Sequence, residues 1–141
     1  MVYGDKKAVK IVSKYLVEIM LLAAASDGQI DPEETQFFET YRQLYPPFRD
    51  ITQAEFEGIM VKLFNKTNAG MKPHHMVEEI GENLSEPQKN KAYALALEIC
   101  ASNFEILPLE TDFLKIIEKS WKIKRNIMTA LYTSIELRYQ K

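Results

Sequence analysis

The chain has 141 residues, 46% of them hydrophobic and 27% charged, with a net charge of −2. That length suits one domain burying about two thirds of its unfolded surface, and the composition is that of an ordinary globular protein. A net charge near zero excludes a global field for nucleic acid or an acidic membrane, and no Gly-, Pro- or Ser-rich tract marks a linker, so residues 1–141 are expected to form a single domain.

In chain order, the first predicted helix runs from about Asp5, a candidate N-cap, to Ser26. Lys6, Lys7, Lys10 and Lys14 precede "YLVEIMLLAAAS", an order that mimics a signal peptide. Glu18 interrupts the apolar run, however, and "AYALALEICAS" at 92–102 has the same character deep inside the chain. A structural helix is the simpler reading of both, and neither is long or uncharged enough to span a bilayer.

The second helix is expected from Pro32, a residue suited to the first helical position, to about Tyr45, where Pro46-Pro47 stop it. Phe37, Phe38, Tyr41, Leu44 and Tyr45 give it an apolar stripe. Thr52 and Glu55 form a capping box for a third helix with Phe56, Ile59, Met60, Leu63 and Phe64 as its core face. A shorter helix starts at Pro73 and ends near Asn83. Ser85 and Gln88 cap the next, which continues to about Ser102. Pro108 opens a helix ending near Trp121, with Leu109, Phe113, Ile116 and Ile117 inward, and the last spans about Arg125 to Tyr139 with Ile127, Leu131 and Ile135 inward. No segment alternates like a strand. The chain reads as all-α, a bundle of about seven helices.

"LVEIMLLAAA" and "AYALALEICA" are apolar nearly all round, and a helix without a polar face is buried on every side. These two helices are therefore expected at the centre, packed on each other. Cys100 falls on the second and reads as a small core residue rather than a reactive thiol. A lone cysteine also fits a reducing compartment.

Shifting the chain by 76 residues lays "ASDGQIDPEETQFF" (25–38) over "ASNFEILPLETDFL" (101–114), with Ala, Ser, Ile, Pro, Glu, Thr and Phe identical. Two pseudo-symmetric repeats, at about 8–45 and 84–121, follow from this. Read as an EF-hand, the first stretch would place Ala23 and Ala25 at the first two ligand positions, where no side-chain oxygen exists. Because Ca²⁺ takes roughly six to eight oxygens, an EF-hand is excluded. Helix capping explains most of the motif: Asp31 as N-cap, Glu34 reaching back in a capping box, and Gly28 in the preceding turn. Asp27 is left without a role.

Two helical repeats, each with an Ala-rich helix followed in the first by Asp27-Gly28-x-Ile30-x-x-x-Glu34, resemble the TerB (tellurite-resistance) family and the TerB-like N-terminal domain of DjlA-type co-chaperones. The resemblance covers roughly residues 8 to 123. It implies an all-α pseudo-two-fold domain, and an association with metal binding, stress responses and assemblies near the cytoplasmic membrane. Ile106 and Glu110 match in the second repeat, whereas Asn103 and Phe104 stand in place of the Asp and Gly, and Leu107 and Leu109 replace polar residues. A site for Ca²⁺ or Mg²⁺ built on Asp27, Glu34 and Glu110 is what the resemblance leaves open; no cofactor is required by the residues themselves.

The adjacent His74 and His75 would point about 100° apart on a helix, a poor geometry for one metal. No metalloprotease, di-iron, paired-cysteine or phosphate-loop motif occurs. The acids of 27–41 and the bases Lys115, Lys119, Lys122, Lys124 and Arg125 read as solvated helix faces, and Trp121 alone is a weak nucleic-acid signal. The expected function is a non-enzymatic, cytoplasmic interaction or scaffold module with protein partners, without nucleic acid and without a membrane span, though peripheral membrane association is compatible. A divalent-metal sensor is the first alternative and an unrecognised enzyme the second.

Overall fold

The computed structural model describes residues 6–25, 36–101 and 108–139, with side chains over 7–25, 39–101 and 112–138. Within them are eight helices and no strand: α1 (Lys6–Ala25), α2 (Gln36–Leu44), α3 (Pro46–Arg49), α4 (Gln53–Asn68), α5 (Pro73–Gly81), α6 (Glu86–Ala101), α7 (Pro108–Ser120) and α8 (Arg125–Tyr139). The chain is all-α. Asp5, Ser26, Pro32 and Ser102, expected at helix ends, lie outside the described residues.

The helix not foreseen is α3. Pro46-Pro47 do stop α2, but Tyr45 is extended ahead of them, and prolines fit the first turn of a helix, where their missing N–H groups are no loss. One dipeptide therefore ends a helix and starts the next. Arg49 closes the joint by donating from Nε to the Arg42 carbonyl (2.9 Å) and from Nη2 to the Gln43 carbonyl (2.7 Å), groups that α2 itself leaves unpaired. Edge-to-face rings then run from α2 to α3, Tyr41 on Tyr45 (5.3 Å) and Tyr41 on Phe48 (5.2 Å), and Phe48 reaches Phe56 of α4 at 6.0 Å.

The most extensive helix contact is α1 with α6, and α1 also meets α3, α4, α5 and α7. From Leu16 to Ala24 every residue of α1 except Leu22 is buried, as are Ala92, Tyr93, Ala96, Leu97, Ile99, Cys100 and Ala101 of α6. The two apolar helices pair at the centre because neither has a face that water would solvate well. Cys100 is fully buried there.

The surrounding helices depart from their expected faces in instructive ways. On α7 the buried set is Phe113, Leu114, Ile117 and Trp121, with Ile116 half-buried, while the Leu109 side chain lies outside the described residues. On α8 only Ile135 of the expected three is buried. On α4 Phe64 is 52% exposed, so the expected core face is wider than the core that covers it.

Trp121 ties α7 to α5. Its indole Nε1 donates to the Val77 carbonyl at 2.9 Å, and the ring lies directly over Gly81. A β-carbon at Gly81 would meet Trp121 Cδ1 at 2.7 Å and Nε1 closer still. The ring is buried and hydrogen-bonded, so it has nowhere to retreat. Gly81→Ala is therefore expected to destabilise the protein by about 1–3 kcal/mol through overpacking, although alanine favours helices. Urea denaturation followed by circular dichroism measures this; an unchanged or raised midpoint contradicts the contact.

Candidate functional site

Asp27, Asp31 and Glu34 lie outside the described residues, and so does the side chain of Glu110, whose backbone falls in the first turn of α7. Asn103 and Phe104 lie outside them too. Among the described residues no group of three or more His, Cys, Asp or Glu side chains could hold a metal ion. His74 and His75 are both exposed in the first turn of α5, with ring centroids 4.0 Å apart, closer than ideal helix directions suggest.

The remaining cap residues are in place. Thr52 Oγ1 accepts from the Glu55 N–H at 3.1 Å, and Glu55 Oε1 accepts from the Thr52 N–H at 2.9 Å. At the start of α6, Ser85 Oγ accepts from the Gln88 N–H (3.3 Å) while Gln88 Oε1 accepts from the Ser85 N–H (2.8 Å). Both are capping boxes. The first does more than cap, because Lys10 and Lys14 of α1 reach the same carboxylate at 3.2 and 3.3 Å. The Thr52 backbone N–H first, then the two lysines against an opposing effect of burial, hold the Glu55 carboxyl down at about 2, from an ordinary 4.5.

Two acid-bearing polar arrangements reach into the core, besides Ser13, which donates to Asp50 at 2.7 Å. Glu18 is 4% exposed in the middle of α1 and accepts from Lys62 Nζ of α4 at 2.8 Å. Partial burial works against the Lys62 ammonium, but the hydrogen bond and attraction of Glu18 outweigh it and raise its pKa. The second is Tyr93 on α6, fully buried, whose hydroxyl donates to Glu118 Oε2 of α7 at 2.6 Å; Tyr132 of α8 donates to the same oxygen at 3.4 Å. Burial first, then the neighbouring carboxylate, pushes the Tyr93 hydroxyl well above the usual phenol range. Each arrangement is a pair or trio already satisfied within itself. Neither presents an activated nucleophile beside a base, the geometry that covalent catalysis needs.

The basic residues Lys115, Lys119, Lys122, Lys124 and Arg125 are exposed, but Trp121 is buried and offers no ring face to a base. No described helix is long and apolar enough to cross a membrane.

What the surface does present is an apolar groove between α1 and α4. It is lined by Leu21, Leu22, Met60, Leu63, Phe64 and Thr67, with a volume of about 210 Å³. Val61, exposed like Phe64, stands beside it on α4. Single exposed apolar residues are ordinary, but an exposed aromatic at the edge of a concave apolar surface has the character of an interface core. Sequence periodicity missed this because Met60 and Phe64 share a stripe with true core residues. Glu18 was visible as an acid inside an apolar run; its partner Lys62 was not, being 44 positions away.

No family model, no curated protein and no solved structure matches this chain.

Two expected outcomes follow from the polar pairs. Lys62→Met leaves the Glu18 acceptor buried without its partner and is expected to destabilise by roughly 1–3 kcal/mol, while adding Glu18→Met to it returns the protein to within about 1 kcal/mol of wild type. Equilibrium unfolding of the four proteins of that cycle checks it; equal effects in the single and double variants contradict the pairing. Because the Glu55 pKa is depressed on folding, its contribution is complete above about 4.5 and is lost as pH falls toward about 2. Glu55→Gln keeps a neutral capping box but should flatten the acid limb of a stability-against-pH curve between those values; an acid limb of unchanged slope counts against a Glu55 carboxyl held low by Thr52 and the two lysines.

Proposed function

We propose that the chain is a non-enzymatic helical interaction or scaffold module of the TerB-like kind that its motifs resemble, working in the cytoplasm through protein partners. The α1–α4 groove bordered by Phe64 carries this reading. A large aromatic at the edge of an apolar concavity has little to gain from water and much to gain from a partner side chain. The two-repeat, single-domain organisation belongs to the same proposal, supported by the 76-residue offset and by the α1–α6 pairing, since equivalent helices of two repeats would meet at a pseudo-two-fold axis. A stress or tellurite-resistance setting, and contact with the membrane surface, rest on the resemblance alone.

The divalent-cation alternative depends on Asp27, Glu34 and Glu110, and calorimetric titration with Ca²⁺ and Mg²⁺ of wild type and Asp27→Asn tests it directly. Binding tighter than millimolar that Asp27→Asn abolishes would establish the metal reading. For the docking reading the substitution is Phe64→Asp. A half-exposed residue leaves stability within about 0.5 kcal/mol when changed, whereas a central aromatic in an interface contributes about 2 kcal/mol or more, at least a ten-fold loss of affinity. Quantitative co-purification from the native cell, wild type against Phe64→Asp, should show a defined partner lost with melting temperature preserved. Identical partners at identical recovery would remove the groove from the interaction.

A further inference from the structure

The last described helix is held differently from the others. Of the described side chains of α8 only Ile135 is buried; Ile127, Met128, Leu131 and Tyr132 are half-buried, and Leu137 is 68% exposed. Its packing is chiefly against α6. Its polar links, apart from that of Tyr132, are peripheral. Tyr132 donates to Glu118 at 3.4 Å, Arg138 donates from both terminal nitrogens to Glu98 at 2.7 and 3.2 Å, and Lys124, just ahead of the helix, meets Glu86 at 3.2 Å.

The segment before α8 is anchored firmly. Trp121 is fixed to the Val77 carbonyl, Ile123 is buried, and the Ile123 N–H closes α7 by donating to the Glu118 carbonyl at 3.1 Å. Lys122 between them takes the left-handed conformation at φ 53°. This is a Schellman closure, and it satisfies the end of α7 without any contribution from α8.

We propose that α8 is a releasable cover on the α6–α7 face, opening as a unit about the 122–124 joint while α1 to α7 keep their packing. Three features make such an opening inexpensive. Glu118 keeps its shorter hydrogen bond to Tyr93, so no buried acceptor is orphaned. Glu98 and Arg138 are already partly in water and regain solvent partners on separation. The apolar area uncovered comes mostly from half-buried residues, the signature of a low-stability cooperative unit. Departure of α8 uncovers the α6–α7 side that carries Glu98 and Glu118, away from the α1–α4 groove, so the device stands or falls apart from the docking proposal.

Native-state hydrogen exchange of the full chain, resolved by segment, tests it. Amides of α8 should exchange through an opening far more frequent than the global one that releases α1 and α6. Tyr132→Phe with Arg138→Gln should speed α8 exchange by about three- to thirty-fold and leave α1 and α6 rates unchanged relative to α5 and α7. Conversely Ile19→Val, a mild core change, should speed α1 and α6 and leave α8 as it was. Exchange of α8 only with the global opening, or equal acceleration of every helix in the double variant, overturns the proposal.

Discussion

The described fold hangs on the central half of α1 being apolar nearly all round. Leu16 to Ala24 must be covered all round, and five other helices do the covering: α6 along one length, then α3, α4, α5 and α7. Small residues set how closely they approach. Ala23 and Ala24 of α1, with Ala92, Ala96 and Ala101 of α6, are all buried, so the pair offers little bulk to hold the two axes apart. The ring of outer helices is in turn pinned by contacts that need particular partners, the Trp121 indole across Gly81 being the tightest.

Against that background Glu18 is a deliberate exception. A buried carboxyl amid Val17, Ile19 and Met20 is tolerable only with a partner at hydrogen-bond distance, and Lys62 reaches in from α4 with its stem while its side chain stays 46% exposed. Such a pair adds little net stability, but losing either partner alone leaves the other without its match between α1 and α4. Glu55 with Lys10 and Lys14 repeats the device one end further along the same two helices, and Ser13 adds a hydrogen bond to Asp50 at 2.7 Å just before α4. With polar links at Glu18 and Glu55, the apolar remainder of this helix pair, Leu21, Leu22, Met60 and Phe64, forms the groove.

Much of the architecture is legible because period and capping are local. The α4 and α6 starts follow from Thr52–Glu55 and Ser85–Gln88, each a motif spanning four residues. Reading failed where the deciding partner is distant in sequence. Nothing near Trp121 announces that Val77 and Gly81 will receive its ring, so beside five bases it reads only as a weak nucleic-acid signal. The proline pair at 46–47 was read as a stop only, since proline's place at a helix start and its role as a breaker use the same chemistry. The residues of the conjectured metal site, Asp27 and Glu34, lie outside the described structure, and the merit of that site remains a matter for titration.

Phe64 shows how a sequence error can carry functional information. Its position on the stripe Phe56, Ile59, Met60, Leu63, Phe64 satisfies every periodicity criterion for a core residue, and in a helix covered on both flanks it would be one. On α4 the covering stops at Leu63: α1 meets one side of the stripe, and no described helix packs extensively against the other. An apolar arc wider than the fold can bury is unfavourable for an isolated molecule, which gains nothing from exposing a ring that serine or lysine could replace. It becomes favourable once the missing flank is supplied from outside. The mismatch between the stripe that the sequence writes and the stripe that the fold buries is therefore the physical ground for placing a partner on α4, and Phe64 is where the two stripes part.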